Sequence, residues 1–275
     1  MTTWFITGCS TGFGRALAEA VLAQGDNAVI TARNPDALAE LAARHPSTSL
    51  ALPLDVTDPA QVAAAVDAAE ERFGGIDVLV NNAGHGYRAA VEEGEDAAVR
   101  ELFETNFFGL VDVTKRVLPG MRARRSGTIV NLSSIAGRTS ALGSGYYSAS
   151  KYAVEGLSGS LRQELAPLGI RVIVVEPGGF RTDFAGRSLG QSEVPIGDYA
   201  ATAGTRRKSA AEDGSQPGDP AKLARAIIAA VASPEPPRQL LLGPDALART
   251  RAELASQLEE LEKWATVSAS TDFDA

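Results

Sequence analysis

Trp4-Phe5-Ile6-Thr7-Gly8-Cys9-Ser10-Thr11-Gly12-Phe13-Gly14 runs from large apolar residues into a glycine turn, and residues 12–24 then place Phe13, Leu17, Ala20 and Val21 on one helical face. The reading is a buried strand, a loop and a helix start. Backbone N–H groups and the helix dipole receive a phosphate in such a place. Glycine there lets the backbone approach a ligand with no Cβ in the way. The competing reading is a tight turn without a ligand.

Further apolar runs follow at Ala28 to Thr31, Leu50 to Leu54, Val78 to Asn81, Thr128 to Leu132, Val172 to Val175 and Leu240 to Gly243. They are continuous rather than alternating, as strands buried on both faces should be. Between them, residues 59–72, 97–120 and 147–166 carry the helical pattern, with Leu157, Leu161 and Leu165 on the last. Alternating strand and helix predicts an α/β chain: one Rossmann-type domain over 1–275, doubly wound, with a seven-stranded parallel sheet and helices on both faces.

The chain of 275 residues is long enough for one substantial core, and its 44% hydrophobic and 22% charged residues are ordinary globular usage. The 26 basic against 34 acidic residues give a net charge of -8, which opposes nucleic acid and anionic membrane as partners. Arg122, Arg124 and Arg125 fall where a helix should end, and cations suit the carbonyls exposed there. Cys9 is the single cysteine, so neither an intrachain disulfide nor a structural zinc site is expected, and no metal ligand cluster is seen. With no signal-peptide pattern and no apolar run of spanning length, the expected address is cytoplasmic.

From Asp183 to Pro220 the pattern dissolves into Gly, Ser, Pro and mixed charges, too long for a passive connection. It follows the C-terminal end of a strand, the edge where open α/β sheets bind ligands, so residues 183–217 read as a substrate lid, against an insertion without a role. Leu247, Leu254, Leu258, Leu261 and Trp264 then mark an amphipathic helix that packs on its own sheet or on a neighbour, and 268–275 reads as a loose tail.

The second strand ends Ile30-Thr31-Ala32-Arg33. A carboxylate there suits the ribose hydroxyl of NAD, whereas an arginine suits the 2'-phosphate of NADP. Arg33 points to NADP(H), against the reading of a merely solvated arginine. Asp36, the nearest carboxylate, sits where the next helix begins. Gly8-Cys9-Ser10-Thr11-Gly12 also spells the G-x-S-x-G of a hydrolase nucleophile, but His45 and His85 are the only histidines and neither follows a late acid in the required order. Tyr147 and Lys151, four apart on a helix, share a face, and an ammonium beside a phenol favours the phenolate, which suits acid/base work. Tyr146 has Ser150 at the same spacing and is not the same device.

Together, Thr7-Gly8-x-x-x-Gly12-x-Gly14, Asp55, Asn81-Asn82-Ala83-Gly84, Asn106, Ser134, Tyr147-x-x-x-Lys151 and Pro177-Gly178-x-x-x-Thr182 resemble the short-chain dehydrogenase/reductase family from Thr3 to about Leu242. The loop and the Thr31-Ala32-Arg33 strand end look most like its hydroxysteroid and retinol dehydrogenase branch. The resemblance implies a cofactor cradle of Gly8, Ser10, Thr11, Gly12, Phe13 and Gly14, with Asp55 and Val56 on the adenine. It likewise implies Asn82, Ala83 and Gly84 along the ribose, Pro177, Gly178 and Thr182 at the nicotinamide, and Lys151 on the nicotinamide ribose. Asp55 as a helix cap and Asn81-Asn82 as a plain turn are the competing readings.

By the same resemblance Ser134, thirteen residues before Tyr147, orients the substrate oxygen, with Ser133 as rival, and Asn106 holds a water that links Lys151 to solvent. Asn106 as a polar residue that bends its helix is the alternative. His85 faces the nicotinamide or is only a polar loop residue. The implied protein is a homodimer or homotetramer joined through the helices of Asn106 and Tyr147. Its expected activity is NADP(H)-dependent interconversion of a small-molecule alcohol and a ketone or aldehyde, with Asn106, Ser134, Tyr147 and Lys151 as catalytic residues. A cofactor-sensing protein without activity and a nucleotide-sugar epimerase are the alternatives.

Overall fold

A computed structural model describes residues 1–184, 186, 188–207 and 214–273. The strands are β1 (Thr3–Ile6), β2 (Asn27–Ala32), β3 (Ser49–Pro53), β4 (Val78–Asn81), β5 (Gly86–Arg88), β6 (Gly127–Leu132), β7 (Ile170–Pro177), β8 (Leu189–Gln191) and β9 (Gln239–Leu242). The helices are α1 (Gly12–Ala23), α2 (Ala39–Arg44), α3 (Pro59–Phe73), α4 (Asp96–Phe103), α5 (Gly109–Arg124), α6 (Gly145–Leu165), α7 (Pro220–Ala232) and α8 (Pro244–Ala269).

Seven strands form one parallel sheet in the order β3-β2-β1-β4-β6-β7-β9. Successive side chains of each strand point to opposite faces, and both faces are covered. Trp4, Ile6, Ala28, Ile30, Val78 and Val80 pack on one side with Leu17 and Val21 of α1 and Leu223 and Ile227 of α7. Phe5, Val29, Leu79 and Ile129 pack on the other with Val62 and Val66 of α3, Val113 and Val117 of α5 and Leu161 of α6. This is the doubly wound Rossmann arrangement, and burial on both faces is why the strands read as unbroken apolar runs.

Local signals set the helix starts. Asp58 accepts hydrogen bonds from the N–H groups of Ala60 and Gln61, with Pro59 in the first turn of α3. Asp219 and Pro220 repeat the device at α7. An aspartate before proline satisfies orphan donors and presets the helical φ. Asp55 is therefore not the cap of α3. It instead accepts from the N–H and hydroxyl of Thr57 in a turn of its own.

The helix expected over 97–120 differs from the structure in an instructive way. Between α4 and α5 it widens into one π turn at Glu104–Phe108, with buried Asn106 at its centre, and it runs on to Arg124. Arg124 donates to the carbonyl of Ile76 at 2.6 Å and Arg125 donates to that of Pro167, so this basic cluster closes a helix end. The helix α8 likewise continues to Ala269, past the residue where a loose tail was expected to begin. Residues 274 and 275 of that tail lie outside the described residues.

Of the stretch 183–217, residues 185, 187 and 208–213 lie outside the described residues. The described part is organised. Its strand β8 pairs in parallel with β5 at Gly86↔Leu189, Tyr87↔Gly190 and Arg88↔Gln191, forming a two-stranded sheet apart from the large one.

Candidate active site

The sheet order places the end of β1 between β2 and β4, where neighbouring connections diverge and a crevice opens at the strands' C-terminal ends. The glycine loop fills the turn from β1 to α1. Gly8 at φ +72° and Gly12 at φ +59° are left-handed, a conformation that costs a residue with a Cβ. A Cβ on Gly14 would fall 2.3 Å from the Gly8 carbonyl oxygen, so this glycine permits the close approach of helix to loop. Cys9 turns inward: its N–H donates to Thr31, its thiol to the carbonyl of Ile6, and burial pushes the thiol up to about 12. It is an inert core residue.

Asn82 ties the loop to the next strand. Its amide donates to the carbonyls of Thr7 and Gly8 at 2.8 and 3.0 Å, while the N–H groups of Asn82 and Ala83 both donate to the Thr7 hydroxyl at 2.9 Å. Asn81 is a separate device, buried and donating to Thr114 and Asn131. Neither asparagine serves merely to make a turn.

A cleft of about 980 Å³ runs along these strand ends. Gly8, Ser10, Thr11, Gly12, Phe13, Arg33, Asp55, Val56, Asn82, Ala83 and Gly84 line it together with Tyr147, Lys151 and Thr182, so residues separated in sequence meet in one channel. Gly14, Asn106, Ser134, Pro177 and Gly178 are not among the residues that line it. Arg33 lies exposed at the rim and makes no hydrogen bond or ion pair among the described residues.

Into this cleft α6 presents Tyr147 and Lys151 one turn apart. The Lys151 Nζ donates to the carbonyl of Leu132 at 2.8 Å and lies 5.8 Å from the centre of the Tyr147 ring. Burial pushes Lys151 down to about 8, with the Glu155 charge opposing it. Tyr147 differs from expectation: burial pushes its phenol up to about 12, and a hydrogen bond with Ser134 only partly offsets this. Desolvation of the phenolate outweighs the help of an ammonium whose nearest partner is a backbone carbonyl.

Ser134 reaches the Tyr147 hydroxyl and accepts from the N–H of Ala136 at 3.1 Å. Ser133 also borders the cleft, but its hydroxyl is sealed from solvent and has no hydrogen-bond partner among the described residues. Asn106 binds the backbone of His85 at both its N–H and its carbonyl, and donates to Ser150 at 3.2 Å. A Cβ on Gly84 would lie 2.9 Å from Asn106 Oδ1 and 3.6 Å from Lys151 Nζ, so both flank that glycine. His85 borders the cleft with a buried Nε2 that has no partner among the described residues.

Two anchors were missed in the sequence. Glu92, Glu93 and Glu95 carry no motif that marks them in the sequence. In the structure Glu93 accepts from the N–H of Ile196 at 2.8 Å and from Arg207 at 3.2 Å. Glu95 accepts from the N–H of Glu193 at 2.8 Å, and Glu92 from the Tyr199 hydroxyl at 2.7 Å, so the run fastens the segment after β8. Nothing in composition separates this run from surface charge. Asp245 accepts from the N–H of Gly179 at 2.8 Å and holds the turn after Pro177-Gly178; its position at the start of α8 was the only sequence clue.

The family model described as short chain dehydrogenase matches residues 2–192. An oxidoreductase of Botryotinia fuckeliana named BOA17 is 42% identical over 269 residues, covering 96% of this chain and 97% of that protein. The crystal structure of a short-chain dehydrogenase from Streptomyces avermitilis superposes with a TM-score of 0.93 at 44% identity, covering 99% of each chain. A short chain dehydrogenase/reductase from Burkholderia phymatum, solved in complex with NAD, gives 0.80 at 28% identity over 91% of this chain and 92% of that one. A gluconate 5-dehydrogenase from Burkholderia cenocepacia, solved with NADP and tartrate, gives 0.64 at 34% identity over 67% and 74%.

Proposed function

Since this chain belongs to the short-chain dehydrogenase/reductase family, we propose that it is an NADP(H)-dependent oxidoreductase interconverting an alcohol and a ketone or aldehyde, with Tyr147 as the acid/base. The observation that carries the reading is the part of the cleft where half-buried Tyr147 lies beside Ser134 and Lys151 stands one helical turn on.

The residues present fit a dinucleotide. Left-handed Gly8 and Gly12 keep the floor of the channel bare, its volume is at the upper end for small-molecule sites, and the unpaired Arg33 lies near the second strand's end. Relatives are known with NAD and with NADP. A free guanidinium with no carboxylate at Ala32 favours the phosphorylated form. Gly8, Ser10, Thr11, Gly12, Phe13 and Gly14 would cradle the phosphates, Asp55 and Val56 the adenine, and Asn82, Ala83 and Gly84 the ribose. Pro177, Gly178 and Thr182 would hold the nicotinamide.

When bound, the cofactor supplies or accepts the hydride. The chain's own residues handle the proton. A phenol held near 12 is fully protonated at neutral pH, the form that can donate to a carbonyl oxygen as the carbon becomes saturated. Ser134 hydrogen-bonds the same oxygen and fixes its distance from Tyr147. Lys151 holds the cofactor ribose and lowers the cost of the phenolate left behind. Asn106 fixes the backbone beside Lys151 on the path that returns the proton.

The loop sequence and Thr31-Ala32-Arg33 favour substrates of the hydroxysteroid or retinol kind. The segment 183–217 acts as the substrate lid, anchored in part by Glu93 and Arg207. The helices of Asn106 and Tyr147 join two or four copies, and exposed Phe108, the hollow between it and Phe103, and exposed Tyr152 support that face. Oxidation of NADPH against a panel of ketones and aldehydes tests the activity. No turnover with any member, by a protein that binds NADPH, would favour a cofactor-sensing role.

A further inference from the structure

The helix α8 is 26 residues long, about 39 Å at 1.5 Å per residue, yet only Ala246 and Thr250 in its first two turns are buried. Beyond them it leaves the body of the protein. Leu254, Leu258 and Leu261 are 50%, 60% and 61% exposed, and Trp264 beside them 58%. A helix with so little packing is marginal in water, because helical stability in proteins comes mainly from a covered apolar face.

The exposed residues are not scattered. Leu247, Leu254, Leu258, Leu261 and Ala265 follow at intervals of seven, four, three and four, which keeps them within about 40° of one line at 100° per residue. That is the seam by which one helix packs along another. At 100° per residue Arg251 and Glu262 lie about 40° and about 60° to the same side of that line, the basic group early in the helix and the acidic one late. Arg251, Glu260 and Glu262 make no hydrogen bond or ion pair among the described residues.

We propose that α8 docks on α8 of a second copy of this chain, the two helices running antiparallel with their leucine seams in contact. A two-fold axis near the midpoint sets Leu254 against the partner's Leu258. On the same edge of the seam, it brings Arg251 beside the partner's Glu262, and the reverse, so both charges meet opposites. A two-fold parallel pair would put the two charged edges on opposite sides of the seam, so that neither charge would meet its opposite. A membrane is the poorer occupant, because the acidic groups of α8 outnumber its basic ones and anionic lipid repels them.

Light scattering and sedimentation of the full chain test this. Leu254→Glu with Leu258→Glu should halve the wild-type mass while NADPH binding, as the check on folding, stays within twofold. Arg251→Glu and Glu262→Arg should each weaken association at least tenfold, and the two together should restore it. A chain carrying Arg251→Cys with Glu262→Cys should form a covalent dimer under mild oxidation, since Cys9 is buried. An unchanged mass in the leucine variant overturns the proposal and leaves assembly to the other helices. A monomeric wild type, or one whose exposed face is instead taken up by anionic phosphatidylserine vesicles, overturns it equally.

Discussion

Asn106 brackets the backbone of His85: its Oδ1 accepts the His85 N–H and its Nδ2 donates to the His85 carbonyl, both at 2.9 Å. The π turn between α4 and α5 thereby fixes the loop that follows β4, and with it Gly84, against which Lys151 rests. A widened helical turn aims one amide at a neighbouring main chain, which an unbroken α-helix would not do.

Asn106→Leu should therefore be costly in two ways. Two backbone groups lose their partner, each at about 1–3 kcal/mol if left unpaired, so the melting temperature should fall by several degrees. The loop then loosens and kcat should fall more than KM rises. Asn106→Asp keeps the acceptor and should recover part of the stability. Melting curves and steady-state rates check both, and an unshifted melting temperature for the leucine variant would show that the pairing contributes nothing.

Glu176 gives a prediction in pH. It is fully buried on β7, no donor among the described residues completes a hydrogen bond to either carboxyl oxygen, and the Arg138 Nε stands 4.0 Å away. Glu155 lies within hydrogen-bond reach, and two carboxylates bond only when one carries a proton. Burial first and the Glu155 charge second push Glu176 up to about 8. The folded state holds this proton more tightly than the unfolded chain. Its contribution is thus full below the ordinary carboxylate range and is lost as pH rises through about 8. The melting temperature should decline from about pH 5 to about pH 8. Glu176→Gln should flatten that decline. Lys151, pushed down by burial, acts in the opposite sense only above that window.

The fold and the site were legible to different depths. Seven apolar runs located the sheet because burial on both faces leaves an unbroken pattern, whereas β5 and β8, three residues each, carry no such signal. Tyr147 and Lys151 were readable because helical geometry alone puts them together. Glu93 and Asp245 were not, since each serves a backbone N–H far away in the chain, and only the folded path reveals which carboxylate meets which turn. The raised Tyr147 phenol was hidden for a similar reason, because spacing shows a neighbour's charge and says nothing of desolvation.

For the cofactor, NADPH should bind at least tenfold more tightly than NADH, a gap of about 1.4 kcal/mol that one charged phosphate contact can supply. Arg33→Ala should remove most of that gap by weakening NADPH and leaving NADH nearly unchanged, because the guanidinium has no structural partner to lose among the described residues. Fluorescence titration with both nucleotides decides it. Equal affinities in the wild type would take the selecting role away from Arg33.

The last prediction concerns the proton. Hydride delivery to a carbonyl leaves an alkoxide that must be protonated as it forms, and Tyr147 is the half-buried phenol that lines the cleft beside Ser134. Tyr147→Phe deletes only the hydroxyl and keeps the ring beside Phe184, so folding and NADPH affinity should survive. Loss of a placed general acid should lower kcat by about 10²- to 10⁴-fold. Tyr146→Phe is the control, since that hydroxyl donates to the carbonyl of Val91 at 2.6 Å on the exposed side of the same helix. It should leave turnover within a few-fold and cost about 1 kcal/mol of stability at most. Lys151→Ala should lose both activity and NADPH affinity, separating its role from that of Tyr147. Near wild-type turnover in Tyr147→Phe on a good substrate would mean that another group donates the proton.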